Sequence, residues 1–217
     1  MSTSEAPEPR RIAAVLFDFG GVITDSPFEA FERYEHDHGL PSGFIRQLNA
    51  TNHHDNAWAR LERNELAFDE FCAAFEAEAL AAGERIDARD LFAMFSGQLR
   101  PEMVEAVRRC GRHFKTGLLT NNFVTPVAAS RASDLAEILA LFDAVIESSV
   151  VGVRKPDPRF YLMACEALGI TPSEAVFLDD LGVNLKPARA LGMVTIKVTD
   201  TQSALGDLEE VVGITLR

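Results

Sequence analysis

I-A-A-V-L-F-D-F-G-G-V-I-T-D, residues 12–25, is an unbroken apolar run that ends on a carboxylate and a pair of glycines. Ile12 to Phe17 reads as a strand buried on both faces, the pattern of a parallel sheet covered by helices. Asp18 then stands at the strand's C-terminal edge, where open α/β sheets place their ligands. Gly20 and Gly21 let the chain turn sharply and come close to whatever sits there. A plain strand closed by an acidic turn fits the same residues, and this stretch alone does not separate the two. D-F-G, residues 18–20, holds metal in protein kinases. No glycine-rich loop, strand lysine or H-R-D loop accompanies it here, which excludes that reading.

After Asp25 the composition shifts to Ala, Glu and Phe with helical spacing as far as about Gly97. In F-D-E-F-C-A-A-F-E-A-E-A-L-A-A-G, Phe68, Phe71, Cys72, Phe75 and Ala79 fall on one stripe, and Gly83 supplies the stop. Asp87 is placed to cap a further helix, and N-A-W-A-R-L-E-R-N-E predicts a short one before both. The segment 26–98 is therefore expected to be a small all-helical unit inserted after the first strand. His53 and His54 suggest a metal, but adjacent residues share no face of a helix or strand, so a solvated loop is expected.

Strand–helix alternation resumes at Arg100. Met103, Val104, Val107 and Cys110 mark a helix face, followed by the strand K-T-G-L-L-T and a helix around Asp134–Leu141. A third strand, A-V-I-E-S, leads into V-G-V-R-K-P-D-P, whose prolines open a helix from about Arg159 to Leu168. T-P-S-E has capping-box spacing. Strand A-V-F-L-D-D, helix N-L-K-P-A-R-A-L-G and strand V-T-I-K-V complete the series. Such alternation predicts an α/β, Rossmann-like parallel sheet flanked by helices, built from 12–25 and 99–217. Residues 1–11 read as a disordered tail.

Among 217 residues the net charge is −12 and no basic patch occurs, so no nucleic-acid partner is expected. No apolar run reaches the roughly 20 residues of a membrane span, and the N-terminus lacks a signal-peptide pattern, so a cytoplasmic protein without a membrane partner is expected. The three cysteines are widely spaced and form no C-x-x-C. They read as buried core residues in a reducing compartment.

Right-handed crossovers bring all strand ends to one edge. Asp18, Thr120-Asn121 and Asp179-Asp180 then converge, with Lys155 on a loop just beyond. Three facing carboxylates repel one another unless a cation sits among them, and oxygen ligands of this kind suit Mg²⁺. A carboxylate can also act as a covalent nucleophile, while lysine and hydroxyl groups hold phosphoryl oxygens. The chemistry points to phosphoryl transfer through Asp18.

These residues resemble the haloacid dehalogenase superfamily across essentially the whole chain. Four ordered motifs carry the resemblance: D-F-G-G-V, L-L-T-N-N, R-K-P-D-P and F-L-D-D-L-G-V-N. The helical insertion matches the family's cap. The closest resemblance is to the N-terminal phosphatase-like domain of soluble epoxide hydrolases. Residues 177–201 look very like that domain's C-terminal third, and the epoxide-opening domain is expected to be absent. The resemblance implies Asp18 as nucleophile and metal ligand, Asp180 as second side-chain ligand, and the Gly20 carbonyl as a third. It implies Thr120, Asn121 and Lys155 around the phosphoryl group, Asp179 steadying metal or lysine, and Asn184 orienting the acidic loop. A small phosphorylated molecule is the implied substrate and Mg²⁺ the implied cofactor. In the cap, Trp58 and Arg60 lie in the region that resembles the family's substrate-facing segment. Packing core for Trp58 and a solvated helix face for Arg60 are the alternatives.

The chain departs from the family at Gly20, where its phosphatases usually carry a second Asp as general acid and base. Loss of such catalysis costs about 10²- to 10⁴-fold. Weakened turnover is therefore expected, with Asp25 the nearest substitute acid. A non-catalytic phosphate- or metabolite-binding protein and a metal-independent dehalogenase stay open as alternatives.

Overall fold

The computed structural model describes residues 11–123 and 132–217. The tail expected at 1–11 lies outside them except for Arg11. The sheet has five parallel strands in the order β3-β2-β1-β4-β5. They are β1 (Ala14–Phe17), β2 (Lys115–Thr120), β3 (Ala144–Glu147), β4 (Ala175–Asp179) and β5 (Val194–Lys197). β1 begins two residues later than its apolar run suggests. Ala13 still donates to Glu174 O at 2.8 Å as the lead-in to the sheet.

Alternation along β1 divides the core into two faces. Val15 and Phe17 join Leu118, Leu178 and Ile196 on one side, beneath helix α6 (Pro101–Cys110). Ala14 and Leu16 join Leu119 and Phe177 on the other, beneath Phe160, Tyr161 and Cys165. All three cysteines are free and buried. A C-terminal helix, Thr201–Val212, also packs on the first face through Ala204, Leu205 and Leu208.

Five helices lie between β1 and α6: α1 (Pro27–His38), α2 (Phe44–Ala50), α3 (Ala57–Glu62), α4 (Phe68–Ala81) and α5 (Ala88–Ala93). They enclose a separate apolar cluster of Phe31, Tyr34, Trp58, Phe71, Phe75 and Phe92 among others. Phe71, Cys72, Phe75 and Ala79 are buried as their spacing predicts, and Gly83 follows α4 at φ +100°. Asp87 caps α5 by accepting from the N–H groups of Arg89 and Asp90. The chain enters and leaves this helical segment along two adjacent strands, with Thr24 bridged to Leu99 and Asp25 N donating to Gln98 O at 2.9 Å. α1 and α2 fall within the stretch whose spacing is helical, although the sequence marks no bounds for either. Among the described residues no helix is long and apolar enough to cross a membrane.

Candidate active site

The register of the sheet assembles the site. Phe17 pairs with Leu178 of β4, and Asp18 N donates to Leu178 O at 2.9 Å, so Asp18 comes to lie beside Asp179. Neighbouring strands stand only about 4.8 Å apart, which forces the two carboxylates together. Lys155 Nζ fills the space between them, 2.7 Å from Asp18 Oδ1 and 2.8 Å from Asp179 Oδ2. Lys155 is 1% exposed and Asp179 is fully buried.

Asp179 is held from the opposite side. Asn184 Nδ2 donates to both its oxygens at 3.1 and 3.0 Å, and Leu181 N donates to Oδ1 at 2.8 Å. Asn184 sits in the first turn of the helix Gly182–Ala190. Asn121 Nδ2 donates to Lys155 O at 3.0 Å while Lys155 N donates to Asn121 Oδ1 at 2.9 Å. The Asn121 side chain is thus committed to the lysine's main chain. Thr120 ends β2, nearly buried, and its hydroxyl has no hydrogen-bond partner among the described residues.

Asp180 follows the end of β4 and is half-buried, with Ser26 Oγ 3.4 Å from Oδ2. Asp18, Asp179 and Asp180 each place a carboxylate oxygen within 4.8 Å of the others. One ammonium faces three carboxylates, and the imbalance shows in their acidities. Burial, opposed by Lys155 but reinforced by Asp179 and Asp180, holds the Asp18 carboxyl well above its ordinary range. Burial and the charge of Asp179 push Asp180 up to about 6. Burial alone would depress Lys155, but Asp179 and Asp18 reverse that and raise it. A divalent cation would relieve this excess of negative charge, so the donor set fits one.

Gly20 and Gly21 differ. Gly20 has φ −68° and ψ 130°, ordinary extended backbone open to any residue. A backbone shaped for glycine, as the pair suggests, applies only to Gly21, at φ +77°. Asp25 does not serve as a substitute acid in this arrangement. Its carboxylate pairs with Ser96 Oγ, and it is not among the residues lining the cleft.

A cleft of about 420 Å³ opens above Asp18, Lys155 and Asp180, walled by the helical segment. Trp58 lines it and also packs edge-on against Phe31 and Phe71, so it belongs to the packing core and the wall together. Arg60 faces Glu65 at 4.0 Å and stands outside the lining, which removes geometric support for its contact with substrate. Arg154 and Arg46 occupy the wall instead. Arg154 Nε meets Glu62 Oε2 at 2.5 Å, and the same carboxylate accepts from Trp58 Nε1 at 2.9 Å. Arg154 stands beside Lys155 in the R-K-P-D-P motif, and nothing in the sequence sets it apart as a cleft residue. His53 and His54 sit on an exposed loop with ring centroids 3.9 Å apart, yet His53 also borders the cleft.

The chain is similar to several known proteins. Pig bifunctional epoxide hydrolase 2 is 34% identical over 94% of the chain, which spans only 40% of that enzyme's length. Phosphatase MT3486 of Mycobacterium tuberculosis is 33% identical over 84% of the chain and 85% of its own length. A haloacid dehalogenase family enzyme from Bacteroides thetaiotaomicron, solved with magnesium and inorganic phosphate, superimposes with a TM-score of 0.59. It is 19% identical and covers 86% of this chain and 93% of its own, a likeness of fold. A family model described as haloacid dehalogenase-like hydrolase matches residues 12–192. With that match over most of its length, the chain belongs to the haloacid dehalogenase-like hydrolase family.

Proposed function

We propose that the protein hydrolyses phosphate monoesters through an aspartyl-phosphate on Asp18, with Mg²⁺ bound. The observation that carries this reading is the Asp18–Lys155–Asp179 chain of contacts at 2.7 and 2.8 Å beside an underneutralised Asp180. Residues 26–98 act as a cap over a core of 12–25 and 99–217, and the two adjacent crossings at Thr24–Leu99 form the hinge.

Asp18, Asp180 and the main-chain carbonyl of Gly20 would hold Mg²⁺, whose charge offsets the carboxylates and the phosphoryl oxygens. An Asp18 oxygen attacks phosphorus, and the bond from phosphorus to the alcohol oxygen breaks. Lys155 neutralises the phosphoryl group, and the free Thr120 hydroxyl donates to it. Asn121 positions Lys155 through its main chain, and Asn184 fixes Asp179, which in turn fixes the ammonium. Water then cleaves the acyl phosphate, releasing inorganic phosphate and regenerating Asp18. Gly20 offers no proton, so the alcohol oxygen leaves as an alkoxide or takes its proton from water or substrate.

A metal-independent dehalogenase would have no use for three clustered carboxylates, and the cluster argues against that reading. A protein that binds phosphate without hydrolysing it remains the second reading, favoured by Gly20 alone. Turnover of aryl phosphates with Mg²⁺, set beside Asp18→Asn, separates them. Mg²⁺-dependent release of phosphate that Asp18→Asn abolishes supports the enzyme. Binding of phosphate without any turnover supports the alternative.

A further inference from the structure

The cleft is far larger than a phosphoryl group needs, and its walls are uneven. Phe28, Phe31, Trp58 and Phe123 line it with aromatic surface. Three cations line it as well. Lys155 contacts Asp18 and Asp179 at the reacting end of the cleft, and Arg154 is paired with Glu62. Arg46 has neither a carboxylate nor a hydrogen-bond partner among the described residues.

Helix α2 explains how Arg46 comes to be there. Ile45 and Leu48 bury one face of the helix in the cap's apolar cluster. Arg46, Asn49 and Ala50, spaced three and four residues apart, form the face that lines the cleft. The Arg46 guanidinium lies 4.8 Å from the centroid of the Phe28 ring. A cation–π contact of this kind holds the group in place without cancelling its charge or using its N–H donors. In a chain of net charge −12, an arginine left unpaired at a ligand cleft is available for an anion.

We propose that Arg46 recognises a second anionic group at the far end of the substrate. The preferred substrates are then phosphate monoesters whose organic part is flat or apolar and carries a distal carboxylate or phosphate. The aromatic wall takes the body, Lys155 and Asp18 take the reacting phosphoryl group, and Arg46 takes the distal charge. The inference rests on the phosphomonoesterase reading of the same site.

Matched esters test it with the Mg²⁺-loaded full chain. Phenyl phosphates bearing a para carboxylate, carboxymethyl or phosphonomethyl group are compared with the carboxamides that match the first two in shape and with unsubstituted phenyl phosphate. A charge-assisted contact of about 1.5–3 kcal/mol corresponds to a preference in kcat/KM of about tenfold or more for the anionic ester whose length fits. The difference should lie mainly in KM, because distal binding acts on ground and transition states alike. R46Q should bring the anionic-to-neutral ratio close to one, and R46K should retain part of it. The carboxylate and phosphonate arms show which anion is preferred. Equal rates for anionic and neutral esters, or a preference that survives R46Q, would overturn the assignment while leaving the phosphatase intact. If none of the esters turns over, the phosphatase reading fails and this inference fails with it.

Discussion

Gly21 lies directly against the carboxylate of Asp180, so closely that a Cβ on Gly21 would overlap it. At φ +77° the position also suits glycine on conformational grounds, and Arg100 Nη1 donates to its carbonyl at 2.9 Å. Two independent constraints therefore hold glycine at this position, and the second, the approach to Asp180, ties the turn after β1 to the acidic loop after β4. Gly21→Ala should displace Asp180, remove most of the Mg²⁺-induced rise in Tm and lower kcat/KM at least about a hundredfold, the scale of losing one charge-stabilising group. A Tm titration with Mg²⁺ on both proteins checks it. An undiminished metal response would show that Asp180 is not a ligand.

Gly20 behaves oppositely. A Cβ there would meet Pro27 Cδ at 3.4 Å, ordinary van der Waals contact, on backbone that any residue adopts. Gly20→Asp should fold normally. It should speed simple alkyl phosphates by about tenfold or more out of the 10²- to 10⁴-fold that general acid catalysis supplies. The wild type should depend steeply on leaving-group pKa, favouring aryl and acyl phosphates. A flat dependence, measured across a series of phenols and alcohols, would mean that another acid already donates the proton.

Lys155→Met removes the cation that, among the described residues, bridges Asp18 and Asp179, both nearly or fully buried. Breaking a buried pair in this way costs about 3–5 kcal/mol of stability at pH 7 without metal. Mg²⁺ should restore part of that loss, because it offsets the same carboxylates. Phosphatase activity should fall at least about a hundredfold even in the folded, Mg²⁺-loaded variant. Chemical denaturation and steady-state rates test the two halves separately. Undiminished turnover would move the chemistry to another site.

The acidic cluster also sets a pH dependence. Asp180 titrates at about 6 in the folded protein, above the ordinary 3.8 of the unfolded chain, and Asp18 is raised as well. Between those values the folded state holds more protons than the unfolded state, so metal-free stability falls as pH rises through that window. Mg²⁺ competes with those protons. Its effect on Tm should be small near pH 5 and larger near pH 7, following the ligand-linkage relation. Equal gains at both pH values would separate the metal from these carboxylates.

Much of this arrangement was legible in the sequence because strand ends announce themselves. The apolar runs before Asp18, Thr120 and Asp179 fix the strands, and parallel topology brings their ends together without further information. Lys155 needed only a loop of the right length after β3. What sequence could not supply was pairwise geometry. Arg154 and Glu62 lie 92 positions apart, and nothing in either neighbourhood signals their contact. Arg60 and Arg46 look alike as helix-surface arginines, yet one turns to Glu65 and the other to the cleft.

The two glycines show the same boundary. The pair predicts a tight turn, which forms, with Thr24 N donating to Phe19 O at 3.0 Å. Which glycine carries the conformational demand depends on φ and on Asp180, a residue 159 positions from Gly21 in the chain. Asp25 reads as a candidate acid because it is near Asp18 in sequence. The turn carries its side chain to Ser96 and away from the cleft.

Phosphorylation of Asp18 is the most direct test. The Mg²⁺-loaded protein would be mixed with an aryl phosphate, quenched in acid within the first turnover, and its peptides weighed by mass spectrometry. The account predicts one phosphoryl group on the peptide containing Asp18, absent without Mg²⁺ and absent in Asp18→Asn. Turnover that leaves Asp18 unmodified throughout, places the phosphoryl group on another residue, or survives in Asp18→Asn would contradict it.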